Sequence, residues 1–193
     1  MDRPVRADAR SNRERILVVA ADVFGELGPG ATTEEIARRS RVGVGTVFRH
    51  FPTKEDLLRA VLVGRLDRLR GRALRLAEDH EAGEAFRTLF REMVADAAGK
   101  IAIAEALTEP GRDPAPEVQA AGAALHDAVG RLLRHAQEAG AIRSDIALPE
   151  TYALLIGASR AAAHGQLSPA TEDGMLKILF DGLAPVAHSP NRS

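Results

Sequence analysis

Two short helical signals separated by a three-residue break occupy TTEEIARRSRVGVGTVFRHFPTK, residues 32–54, and no other stretch restricts the fold as much. Thr32 followed by Glu35 is a T-x-x-E capping box: the hydroxyl accepts from a free N–H of the first turn and the carboxylate reaches back to the cap. Ile36 and Ala37 then face inward, and Ser40, Arg41 and Val42 break the run before a second helix, Val44 to Phe51, starts beside Gly43. In that second helix Val47 and Phe51 share a buried face at i and i+4, which leaves Val44, Gly45, Thr46, Phe48, Arg49 and His50 for the outer faces. Two helices joined by so short a turn make a helix-turn-helix, whose second helix can offer its outer face to DNA.

The remaining chain also reads as helices. Residues 1–10 carry Arg3, Arg6 and Arg10 without apolar periodicity and are expected to form a mobile arm, either a solvated tail or a segment touching DNA. Helix 1 is expected to start at Ser11, boxed with Glu14, to bury Ile16, Leu17, Ala20, Phe24 and Leu27, and to end at Gly28. Pro52 separates the helix-turn-helix from helix 4, capped by Thr53 with Asp56 and running from about Lys54 to Glu78. Arg65, Arg68, Arg72 and Arg75 form one stripe of that helix and are expected on a solvated face, with an acidic partner or a membrane as the alternatives. Residues 79–84 read as a linker, helix 5 carries Phe86 to Ala97, Gly99 interrupts, and helix 6 is short, Ile101–Leu107. The turn-rich segment 108–116 precedes helix 7, with Asp113 as its cap and Gly140 as its stop. Helix 8 starts near Pro149 and reaches His164 or Gly165; helix 9 opens with Ser168 and Pro169 and runs to about Leu183. The result is an all-α reading with about nine helices.

Composition excludes several functions. With 45% hydrophobic residues among 193, a real core can form. There is no cysteine, which rules out disulfides, thiolate zinc sites and thiol catalysis and agrees with a reducing compartment. No apolar run approaches the ~20 residues of a membrane span and the first residues lack an apolar signal core, so a soluble cytoplasmic protein is expected. Net charge is −1, with 11 basic against 9 acidic residues in 1–60 and 15 against 18 in 61–193. That asymmetry is too small to indicate DNA without the motif. No phosphate loop, nucleophile elbow or dinucleotide fingerprint is present, so an enzyme is not expected, and neither a metal nor another cofactor is implied.

GVGTVFRHFPTKEDLL resembles the recognition helix and following segment of TetR-family transcriptional regulators, whose common form is G-T-L-Y-x-H-F before a Ser/Thr-Lys helix start. ERILVVAADVFGELG and ATTEEIA precede it in the right order, so the resemblance covers about 60 residues, the first third of the chain. It implies a homodimer with an N-terminal three-helix DNA-binding domain, placed at 1–53, and a larger helical ligand-binding and dimerisation domain, 54–193. It also implies DNA contacts from Thr33, Gly43, Val44, Gly45, Thr46, Phe48, Arg49, His50 and Lys54. Within that set Thr46, His50 and Lys54 match phosphate-contacting positions, Val44 suits a thymine methyl, and Arg49 suits a phosphate or a guanine, with a structural pairing to Glu34 or Glu35 as its other role. Two residues depart from the pattern. Phe48 replaces the usual tyrosine and loses its phenolic donor, and Arg41 stands where glycine is common, so a left-handed backbone there would cost roughly 1 kcal/mol or more.

For the larger domain the resemblance implies dimerisation through the last two helices, about 149–165 and 169–184, and a small-molecule effector whose binding releases the protein from a near-palindromic double-stranded operator. Phe86, Phe90, Met93, Ile103, Leu107, Leu125, Leu132 and Tyr152 are candidates for the effector pocket, although residues of this kind are more often ordinary core. A helical small-molecule module that has lost DNA contact is the rival account, and the salt dependence of DNA affinity separates the two.

Overall fold

The computed structural model describes residues 3–108, 113–164 and 167–185. The expected loop tip at 109–112, Gly165 and the tail after Pro185 lie outside the described residues. Nine α-helices occur among those described: α1 Arg3–Leu27, α2 Thr33–Arg39, α3 Val44–His50, α4 Lys54–Asp79, α5 Ala82–Ala95, α6 Ala97–Ala106, α7 Pro116–Glu138, α8 Leu148–His164 and α9 Pro169–Leu183. None is long and apolar enough to cross a membrane. They divide into two compact units, residues 1–67 with 99–122, and residues 68–98 with 123–193.

The first unit holds the helix-turn-helix. Ile16, Ala20, Val23 and Phe24 of α1 recur on one face and are buried with Ile36 and Ala37 of α2, Val47 of α3, Phe51, four residues of α4 and Ile103 of α6. Each Ile, Val, Leu or Phe side chain so buried contributes roughly 1.5–3 kcal/mol, which makes this cluster the support of the outer faces of α2 and α3. Several start signals operate as read. Thr32 accepts from the Glu35 N–H at 3.2 Å, and Thr53 and Asp56 close a reciprocal box, Asp56 N–H to Thr53 Oγ1 at 3.0 Å and Thr53 N–H to Asp56 Oδ2 at 3.1 Å.

Other boundaries differ from the sequence reading. α1 starts at Arg3, so the expected arm is helical from there and Ser11 is an interior residue, not a cap. Pro4 sits in the first turn, where its missing N–H costs nothing, and Glu14 pairs with Arg10 at 2.9 Å, an i,i+4 contact that favours continuing the helix through Ser11. α7 starts at Pro116, with the Val118 N–H donating to Ala115 O at 2.9 Å, so Asp113 is not its cap. α5 begins inside the expected linker, and Gly99 lies within α6 instead of interrupting it.

Gly99 explains a further difference. Arg65 is buried, and its Nη2 donates to the Ala21 carbonyl of α1 at 2.9 Å. A Cβ at position 99 would lie 2.5 Å from Arg65 Nη1, so the glycine leaves the space that the guanidinium occupies. The arginine stripe of α4 is therefore not one solvated face. Arg72, in the second unit, pairs with Glu92 through Nε at 2.9 Å, while Arg68 and Arg75 are exposed.

The second unit is built on the apolar stripe of α5, where Phe86, Leu89, Phe90, Met93 and Val94 are all buried, together with Leu125, Val129, Leu132 and Leu133 of α7. Phe180 of α9 meets the edge of Phe90 at 5.5 Å between ring centroids, with the Arg91 guanidinium 4.8 Å from the Phe180 ring. Ser168 caps α9 by accepting from the Thr171 N–H at 3.2 Å, and Gly140 ends α7 with φ 66°, both as read. At Gly83 a Cβ would stand 2.5 Å from the Cβ of Ala141, a contact neither backbone can relieve by a rotamer change. Gly83→Ala is therefore expected to destabilise by about 1–3 kcal/mol, read as a lower midpoint in denaturant at unchanged slope.

Candidate nucleic-acid interface

Local chemistry sets the geometry of the interface. α2 ends at Ser40, whose buried Oγ donates to Ile36 O at 2.6 Å, and Arg41 follows with φ 55°. Gly43 then caps α3 in an extended conformation, φ −68° and ψ 146°, and its carbonyl accepts from the Thr46 N–H at 2.8 Å. The chain thus reverses between α2 and α3 in four residues, 40–43.

Gly43, Gly45, Phe48 and Arg49 are exposed, Phe48 by 43%. Nothing lies within 4 Å of a Cβ built on Gly45, so that stretch of α3 presents bare backbone. Thr33, Val44, Thr46, His50 and Lys54 are half-buried. Val44 packs partly against the core of the first unit, so less of it faces outward than its spacing suggested. His50 is 6.4 Å from Phe51 between ring centroids, and the Arg13 guanidinium lies over the same Phe51 ring, 5.1 Å from its centroid. Phe51 thereby fixes the end of α3 from beneath.

The arginines of this face fall into two groups. Arg38 donates twice to Glu35, Nε to Oε2 at 2.8 Å and Nη2 to Oε1 at 2.7 Å. Arg39 donates to Glu35 at 2.7 Å and to Glu26 of α1 at 2.6 Å. Both are committed to carboxylates, and the Glu35 carboxylate turns forward to them instead of back to the Thr32 cap. The side chains of Arg41 and Arg49 make no hydrogen bond or ion pair among the described residues, so the alternative pairing of Arg49 with Glu34 or Glu35 is not made there.

Hydrogen bonds from Arg38 and then Arg39 hold the Glu35 carboxyl down, from 4.5 to about 2, against the opposing effect of desolvation. A depressed carboxyl stabilises the fold above its unfolded value and loses that contribution as pH falls through its folded value. The α2 ion pairs are thus expected intact above about pH 4.5 and lost as pH falls toward about 2. A carbon-detected NMR titration should place the Glu35 midpoint near 2; a midpoint at 4.5 would contradict the pairing.

The effector candidates separate. Phe86, Phe90, Met93, Leu125 and Leu132 are buried in the second unit, where Tyr152 stacks on His126 at 4.7 Å, its hydroxyl pushed up to about 12 by burial and then by Asp127. Ile103 belongs to the core of the first unit, and Leu107, partly buried, packs against it. A cavity of about 640 Å³ lies in the first unit, where the start of α4, the end of α6 and the start of α7 meet. Leu107 lines it, together with residues the sequence reading did not select, among them Arg59, Leu62 and Val118. Arg59 is tied there to Glu55, Asp56 at 3.1 Å and Glu117 at 3.5 Å.

Two seven-residue helices held at a four-residue turn on an apolar core shared with α1, α4 and α6 define a helix-turn-helix protein. Residues 16–61 match the model for bacterial regulatory proteins of the tetR family, and residues 81–185 match the C-terminal domain described as transcriptional regulator SbtR-like. The solved TetR transcription regulatory protein of Mycobacterium vanbaalenii is 38% identical, with 94% of this chain and 99% of that one covered and a TM-score of 0.76. The TetR regulator SCO0520 of Streptomyces coelicolor is 32% identical over 91% and 99% of the two chains, with a TM-score of 0.75. The HTH-type transcriptional repressor Rv3405c of Mycobacterium tuberculosis is 56% identical over 48 residues, 24% of this chain. That match spans 26% of the relative's own length. The chain belongs to the TetR family of transcriptional regulators, which are DNA-binding transcription factors and not enzymes.

Proposed function

We propose that the protein is a cytoplasmic homodimeric repressor that binds a near-palindromic operator and leaves it when a small molecule binds. Residues 1–53 read the DNA and residues 54–193 carry effector binding and dimerisation. The observation that carries this reading is the outward face of α3: bare backbone at Gly43 and Gly45, an uncommitted Arg49, and a rigid apolar core beneath. Thr46, His50 and Lys54 donate to phosphates, with Thr33 beside them, while Arg49, Phe48 and Val44 face base edges. Val44 and Phe48 have only apolar surface to offer, which favours thymine methyls at their positions.

Dimerisation through α8 and α9 is supported by exposed apolar side chains on both, Leu154 at 41%, Ile156 at 52% and Ile178 at 75%. Two subunits so joined bring two copies of α3 to successive major grooves about 34 Å apart. An apolar or amphipathic effector suits Phe86, Phe90, Met93, Leu125, Leu132 and Tyr152 of the second unit. By linkage, an effector that prefers the DNA-incompetent form weakens operator binding, and operator weakens effector binding by the same factor.

Selection from random duplexes followed by footprinting tests this. The expected result is a two-fold symmetric site with half-sites one helical turn apart; an asymmetric single half-site would contradict the dimer.

A further inference from the structure

We propose that Arg41, in the turn ahead of α3, is a DNA phosphate-binding residue held in a strained conformation for that purpose; this rests on the DNA-binding reading above. Its backbone shows the strain. With φ 55°, Arg41 closes α2 by donating its N–H to Arg38 O at 3.2 Å, while the Val42 N–H reaches back to Ala37 O at 3.1 Å. α7 ends on the same pair of bonds, Gly140 N–H to Gln137 O and Ala141 N–H to Ala136 O, around Gly140 at φ 66°. α1 closes at Gly28 with φ 73°. Where this conformation serves only to stop a helix, the chain uses glycine, which adopts it without steric penalty. At α2 it uses a residue whose Cβ crowds the following carbonyl and whose side chain makes no local hydrogen bond in return. Strain kept at one turn and avoided at two others points to a use for the side chain.

Charge narrows that use. Arg38 and Arg39, just before it, are committed to Glu35 and Glu26. The Arg41 side chain is exposed and makes no hydrogen bond or ion pair among the described residues, so its charge and five donors are left for an outside partner. It precedes Gly43, the cap of α3, by two residues, and is carried by the turn, not by the helix that enters the groove. From there its partner is the sugar–phosphate edge of the groove, a planar match for a guanidinium.

The test compares full-length wild type, Arg41→Gly and Arg41→Lys on one duplex that the wild type selects from a random pool, titrated across a salt series, with thermal unfolding of each. Arg41→Gly is expected to bind more weakly, with a log–log salt slope less negative by about 0.9 per subunit, and to melt roughly 2–4 °C higher because the strain is gone. Arg41→Lys keeps the slope and gains no melting temperature. Wild-type binding with an unchanged slope in Arg41→Gly overturns the phosphate contact alone. An unchanged or lower melting temperature overturns the claim that the arginine is strained. A wild type that selects no duplex sinks the DNA-binding reading and this proposal together.

Discussion

Phe24→Ala is expected to lower the unfolding free energy by about 3–5 kcal/mol, the range for removing a buried aromatic ring from a closed core. The ring is 1% exposed and sits in the cluster that includes Ile36 of α2, Val47 of α3 and Leu57 of α4, so no single element can collapse into the space it leaves. Folded proteins are stable by only about 5–15 kcal/mol in total, so the loss is a large share of the whole. Urea unfolding followed by circular dichroism measures it. A loss below about 1 kcal/mol would mean that α1 is not the wall on which the helix-turn-helix rests. Because that wall holds the four-residue turn in place, DNA affinity should fall with stability even though Phe24 is on the inner face.

The second large effect concerns binding without stability. Replacing Thr46, His50 and Lys54 together by alanine should reduce operator affinity by at least about 10³-fold. Hydrogen bonds to a charged group contribute about 1.5–3 kcal/mol each, so the lower value for three contacts in a single subunit is already ~4.5 kcal/mol. None of the three is in the buried core of the first unit, so far-ultraviolet circular dichroism should be unchanged. Equal affinity of the triple variant and the wild type, with the fold retained, would remove these residues from the interface.

Why the helix-turn-helix was legible in the sequence is clear from its parts. Thr32, Thr53 and Ser168 act within three residues of themselves, and Gly140 stops α7 by its own backbone freedom, so each signal and its effect are local. Ser11 and Asp113 offered equally good local signals and were overruled, the first by a helix that continues N-terminally through Arg10 and Glu14, the second by a start at Pro116. Arg65 was not legible at all. Its place depends on a carbonyl 44 residues earlier and on the missing Cβ of Gly99, and a basic residue in a helical stripe carries no trace of either.

The candidate interface was legible as residue types but not as ion pairing. Seven arginines of 1–60 outside the first ten residues look alike in sequence; ion pairs with Glu35 and Glu26 set Arg38 and Arg39 apart from Arg41 and Arg49. A cavity lining was less legible still, because a helical apolar stripe has the same period whether it faces a neighbour or a cavity. Leu107 was selected on that basis and lines the observed cavity, whereas Arg59 had no apolar signal to be found by.

The most direct test of the account is a competition titration: a labelled duplex selected by the wild-type protein, displaced by the same sequence or by its shuffled version, at low and at physiological salt. The account predicts that the selected sequence competes at least about 10³-fold better than the shuffled one, with both affinities falling steeply as salt rises. Equal competition by the two duplexes, or binding indifferent to salt, would contradict it.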